Sequence, residues 1–166
     1  MNNLRERLIL IHERIARACA AASRPTDSVH LLAVSKTFDA PAVRAAALAG
    51  QRRFGENYLQ EALAKQLELA DLGLEWHFIG PVQSNKTADL ATHFDWVHGV
   101  DRLKIAQRLS AARPATALPL NVCVQVNISE EASKSGCRPD QTLTLCREVA
   151  ALPGLRLRGL MAIPAP

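Results

Sequence analysis

Apolar and polar residues alternate along this chain in two rhythms that change places at short intervals. Leu4, Leu8, Ile11, Ile15 and Cys19 recur at spacings of three and four with charges between them, which predicts an amphipathic helix covering a larger body. The run Leu31-Leu32-Ala33-Val34-Ser35 then reads as a strand ending at Lys36. A helix opens near Asp39 and Pro41, where an acidic cap and a first-turn proline are both favourable, and Gly50 ends it. The cycle repeats with short connections. Strands are predicted near 52–54, 75–79, 96–98, 120–127 and 155–161, and helices over 56–72, 84–92, 102–112 and 141–152.

Such regular alternation predicts parallel strands with helical crossovers, hence an α/β fold that is either a barrel or an open doubly wound sheet. Two details favour the barrel. No Gly-x-Gly-x-x-Gly follows the first strand, and polar residues recur after several different strands, as they do where a barrel gathers its strand ends in one ring. In the fifth strand Asn121, Cys123, Gln125 and Asn127 alternate with Leu120, Val122, Val124 and Val126, so one face is polar for a strand covered on both sides. The Asn127 end of that face is expected to border a site.

Lys36 is the residue of most chemical interest. In alternating geometry Leu32, Val34 and Lys36 share one face, so the amine is expected where a buried apolar face runs out into a loop. Burial there would disfavour the ammonium and leave a neutral amine able to attack an aldehyde. A solvated surface charge is the plain alternative for a strand-end lysine.

Composition narrows the class. With 166 residues, 48% of them hydrophobic and only 4% aromatic, the chain suits one compact domain over 1–166 with an aliphatic core. Its net charge of +4 comes from interspersed charges without a basic run, which speaks against nucleic acid. Cys19, Cys123, Cys137 and Cys146 form neither a CxxC pair nor a His-Cys metal spacing, so reduced thiols in the cytoplasm and no metal are expected. Charges throughout the first 22 residues exclude a secretory apolar block, and no apolar stretch is long enough to span a membrane.

Four segments place polar groups where strands give way to loops: Ala33-Val34-Ser35-Lys36-Thr37, Arg53-Phe54-Gly55-Glu56-Asn57-Tyr58, the stretch from Trp76 through Gly80-Pro81 to Lys86, and Gly159-Leu160-Met161-Ala162-Ile163-Pro164. With His98-Gly99-Val100-Asp101, Val126-Asn127-Ile128-Ser129, Lys134 and Gly136, they resemble the signature set of the pyridoxal phosphate homeostasis protein family, relatives of the barrel domain of alanine racemase. The resemblance runs from about Leu31 to the last residue.

It implies a (β/α)8 TIM-type barrel, of which this chain supplies about six strands and the N-terminal helix. It also implies pyridoxal 5′-phosphate as cofactor, held as a Schiff base on Lys36, with Asn57, Ile79, Gly80 and Met161 beside it. The role implied is vitamin B6 homeostasis rather than catalysis, with possible transfer of the cofactor to apo-enzymes. A racemase-like enzyme and a cofactor-free Schiff-base aldolase are the alternatives. Relatives continue with two further strand and helix units, including a phosphate-binding segment. The domain is therefore expected to be incomplete at its C-terminal end, as a fragment or completed by a separate C-terminal piece.

Other residues have plainer readings. Glu56 sits in a predicted first helical turn, where the helix dipole already explains an acid. Asn57 can cap that helix or bond a ring substituent. His77 reads as a hydrogen-bonded structural histidine, Tyr58 as a packing residue and Ser84 as a helix cap. Lys86 and Lys134 are cations near helix starts, open to phosphate steering or to solvent.

Overall fold

The computed structural model describes residues 4–129 and 135–164. The predicted alternation is present: α1 (Leu4–Ala21), β1 (Ala33–Val34), α2 (Ala40–Leu48), β2 (Arg53–Glu56), α3 (Leu59–Glu68), β3 (Glu75–Phe78), α4 (Thr87–His93), β4 (Trp96–Val100), α5 (Leu103–Ala112), β5 (Leu120–Gln125), α6 (Thr142–Ala150) and β6 (Leu155–Met161). The strand order is β1-β2-β3-β4-β5-β6, so every sheet neighbour is also the next strand in sequence. By contact the chain divides into two compact units, Met1–Gly55 with Glu61–Glu75, and Glu56–Gln60 with Trp76–Pro166. Each is described by itself.

In the first unit the α1 stripe turns inward through Leu8 and Cys19, both buried, with Ile11 and Ile15 half-buried and Leu4 left exposed. Asp39 caps α2 as expected, its Oδ1 accepting from the Ala42 amide at 3.0 Å, and Pro41 occupies the first turn. Val43 and Ala47 carry the buried face of α2, and Phe54 of β2 is 1% exposed. Full burial of side chains this size contributes about 1.5–3 kcal/mol each.

The first strand departs from expectation. Only Ala33 and Val34 pair as strand, opposite Phe54 and Gly55, and the Ser35 amide adds one bond to the Gly55 carbonyl at 2.9 Å. Val34 and Lys36 are exposed while Ser35 is buried, so Lys36 does not end a buried apolar face. It sits on the turn that follows, and burial does not desolvate its amine as the periodicity suggested.

In the second unit β3 to β6 run parallel, with His77 opposite Trp96, Trp96 opposite Asn121, and Asn121 opposite Arg156. Helices α4, α5 and α6 bury Leu90, Ile105, Leu109 and Val149, and Phe94 meets Phe78 edge-to-face at 5.5 Å. Arg113 closes the end of α4. Its Nη1 donates to the carbonyls of Ala91 at 2.6 Å and Phe94 at 3.0 Å, acceptors that the helix terminus leaves open, and its Nε donates to the Leu118 carbonyl at 2.8 Å in the loop before β5.

Three local readings need correction in this unit. Glu56 belongs to β2, fully buried, and its carbonyl accepts the Ile79 amide at 2.8 Å; strand pairing wins over the helix start predicted there. Tyr58 consequently precedes α3 and is 56% exposed, so it does not serve as a packing residue. Ser84 begins a short 3-10 turn whose carbonyl accepts from Thr87 Oγ1, and no side-chain cap is formed at α4. Among the described residues, no helix is long and apolar enough to cross a membrane.

Candidate functional site

Both units bring polar groups to the C-terminal ends of their strands. In the first unit these are the residues around Lys36. The turn Ser35-Lys36-Thr37 links β1 to α2, and Thr37 adopts φ +69°, a left-handed conformation that a β-branched side chain disfavours. Such residues cost about 1–3 kcal/mol and persist where surrounding structure fixes them. Here the fixing group is Glu61 of α3, whose Oε1 accepts the Thr37 amide at 2.7 Å. The Lys36 side chain is exposed at this turn.

In the second unit, the ends of β2, β3 and β4 approach one another backbone to backbone. A Cβ built on Gly80 would lie 2.7 Å from the Asn57 carbonyl oxygen and 3.0 Å from its Cα. One on Gly99 would lie 2.7 Å from the Gly80 carbonyl oxygen and 3.4 Å from Gln125 Oε1. The result is a ledge running Asn57, Gly80, Gly99, with no room for a side chain at either glycine. Asn57 Oδ1 is buried and has no hydrogen-bond partner among the described residues. A neighbouring cleft of about 490 Å³ is lined by Asn57, Tyr58, Phe78, Pro81 and Lys86 among others.

Of the residues named from the sequence, Asn57 and Gly80 are therefore in contact, and Ile79, half-buried, is tied to the same strand ends through Glu56. Met161 ends β6, half-buried, opposite Gln125, with its carbonyl accepting the Val126 amide at 2.9 Å. It lies four strands away from β2 in the sheet order and is not brought against Asn57 by the contacts described. Lys36 belongs to the other unit. Lys134 lies outside the described residues.

The polar face of β5 is present, with Cys123 and Gln125 buried and Asn121 and Asn127 half-buried. Gln125 Nε2 donates to the Ser135 carbonyl at 3.0 Å, and Gly136 passes so close to the end of β5 that a Cβ there would meet the Asn127 nitrogen at 2.5 Å. Burial pushes the Cys123 thiol up, against the opposing pull of the Arg158 charge. All four cysteines are free.

His77 has the partner that its sequence neighbourhood did not reveal. Its Nδ1 lies 2.9 Å from Nε2 of His98 on the adjacent strand, and its ring stacks on Trp96 at 5.1 Å, with the Arg158 guanidinium 5.2 Å from the indole. Burial, and then the charge of His77, push the His98 imidazole down to about 4. One ring donates and the other accepts, a structural use of the pair. Gly99 stood within a motif already noted, and Gln125 on the polar face of the fifth strand, but their approach to one another was not legible.

The whole arrangement has close counterparts. The family model described as the alanine racemase N-terminal domain matches residues 10–166. A pyridoxal phosphate homeostasis protein of Pseudomonas aeruginosa is 63% identical over 166 residues, which is all of this chain and 72% of that protein. The chain belongs to the pyridoxal phosphate homeostasis protein family. The Escherichia coli member is 52% identical over 169 residues, again covering all of this chain and 72% of that protein. Among solved structures, PipY of Synechococcus elongatus with PLP bound superposes with a TM-score of 0.77 at 40% identity, covering 90% of this chain and 70% of that one. Membership in the pyridoxal phosphate homeostasis protein family bears out the parallel strands and helices read from the sequence as part of an alanine-racemase-type barrel.

Proposed function

We propose that this chain binds pyridoxal 5′-phosphate through the Lys36 amine and serves vitamin B6 homeostasis, keeping a reactive aldehyde out of free solution and passing it to apo-enzymes. The observation that carries the reading is Asn57. A buried acceptor without a donor costs about 1–3 kcal/mol, and Oδ1 of Asn57 is in that condition beside a ledge that excludes side chains. A flat ring bearing a hydrogen-bond donor fits this acceptor, and the glycines let the strand ends that carry it pack backbone to backbone. The names of the relatives and the PLP-bound form of PipY support the same cofactor.

When bound, the cofactor would supply an aldehyde for the Lys36 amine to engage. The work of the chain is to present that nitrogen. Exposure on a turn with a fixed backbone leaves Lys36 Nζ accessible to an incoming aldehyde. Ile79 and Met161, half-buried at strand ends, would exclude water from the ring. Free cysteines support a reducing compartment, and the cytoplasm is the location we assign.

The test is addition of pyridoxal phosphate to the purified chain, borohydride reduction, intact mass and peptide mapping. A single stoichiometric adduct on Lys36 is the expected result. Substoichiometric adducts scattered over many lysines would overturn the assignment.

A further inference from the structure

We infer that Lys65 and Glu61 are positioning residues for Lys36, an ion pair on α3 with a buried lysine that holds the backbone on both sides of the reactive amine. Lys65 is 4% exposed, and buried lysines are uncommon without partners that account for them. Its Nζ donates to Glu61 Oε1 at 2.6 Å and to the Ser35 carbonyl at 2.7 Å. The same Glu61 oxygen accepts the Thr37 amide at 2.7 Å. The Ser35 carbonyl belongs to the peptide group before Lys36, and the Thr37 amide to the peptide group after it. Both peptide planes that orient the Lys36 Cα are thus held by one pair of side chains, four residues apart on one helix face.

The unusual backbone of Thr37 is a second, independent sign. A threonine at φ +69° relaxes unless something holds it, and the hydrogen bond from its amide to Glu61 does the holding. Hydrogen bonding to Lys65 pulls the Glu61 carboxyl below its ordinary range, with smaller help from the Thr37 amide, so the acceptor stays ionised at neutral pH. A pair that served only to fasten α3 would have no need to grip the chain at positions 35 and 37. Fixing the Cα and leaving the side chain in solvent gives Lys36 a defined origin and a free end, which favours attack on a docked aldehyde over random collision.

This inference rests on the reading of Lys36 as the cofactor amine, and the experiment separates the two. The wild type, Lys65→Met, Glu61→Gln, and each of these combined with Thr37→Gly are compared in the full chain. Three measurements are made below the urea transition of every variant: amide exchange at Thr37, reductive methylation of Lys36 by formaldehyde with Lys86 as internal reference, and the rate of reducible pyridoxal phosphate adduct formation on Lys36.

The expected result is faster Thr37 exchange, with adduct formation on Lys36 slowed by about tenfold or more while Lys86 methylation is unchanged. Thr37→Gly should restore part of the lost rate, because glycine accepts the left-handed turn without help. Unchanged exchange and unchanged adduct rate in stably folded variants would overturn the positioning role and leave a merely structural ion pair. Faster Thr37 exchange and altered Lys36 methylation in the variants, with no adduct on Lys36 in the wild type, would overturn the cofactor reading and leave the control of the turn standing.

Discussion

His77 and His98 share a hydrogen bond of 2.9 Å between neighbouring parallel strands, Nδ1 to Nε2, and so divide one bridging proton between two imidazoles. Trp96 lies parallel to His77 at 5.1 Å, and the Arg158 charge sits over its indole ring. A second proton on the pair would leave two donors facing each other in a largely buried place that already has a cation nearby.

Acid should therefore find this pair early. His98 is held near 4 in the folded chain, below the ordinary histidine value of about 6.5, so the folded state binds fewer protons than the unfolded one in that interval. The stability it confers is present above about 6.5 and is lost as pH falls towards 4, by about 1–3 kcal/mol after allowing for partial exposure. Urea midpoints measured from pH 7.5 to 4 should fall more steeply for the wild type than for His98→Asn.

Removing the Lys36 amine should abolish the reducible cofactor adduct without loosening the fold, because the side chain is exposed. Lys36→Ala is expected to unfold within about 0.5 kcal/mol of the wild type, as surface substitutions do. A reducible adduct retained by the variant would refute the assignment.

Asn57→Ala separates binding from folding. The acceptor it removes has no partner among the described residues, so the free chain should be no less stable, whereas cofactor binding should weaken by about tenfold for the lost hydrogen bond. Chemical denaturation and cofactor titration, done side by side, give both quantities.

Gly80→Ala should harm both. The atoms its Cβ would strike are the Asn57 carbonyl oxygen and Cα, which are backbone and cannot rotate away. A loss of about 1–3 kcal/mol is expected from overpacking, together with slower adduct formation, read by urea midpoint and by mass.

Arg113→Ala tests the second unit away from the site. It would strand the carbonyls of Ala91, Phe94 and Leu118, and a loss of about 1–3 kcal/mol is expected in thermal or urea unfolding, with adduct formation unchanged.

The sequence was most legible where periodicity and caps act locally. The amphipathic stripe of α1, the Asp39 cap and the succession of strands and helices all follow from short-range pattern. Glu56 was misread because an acid before a helix looks the same whether it opens the helix or ends a strand, and its burial is decided by pairing with β3. Lys36 was assigned a buried face by strict alternation, but alternation cannot say which side of a two-residue strand is covered. Gly80 and Gly99 could be noted as motif residues, while the contacts that forbid a Cβ there appear only when three strand ends come together. Glu61 and Lys65 carried no signal, since a Glu and a Lys four apart on a helix ordinarily describe a solvated surface.

The grip of Lys65 on Ser35 spans 30 residues of chain. The turn bearing Lys36 leaves the ribosome well before the helix that holds it, and it can reach its final shape only when α3 has been made and has docked. Until then the amine is tethered to a loose loop. Order of synthesis thus delays the shaping of this turn until enough of the chain exists to bury Lys65.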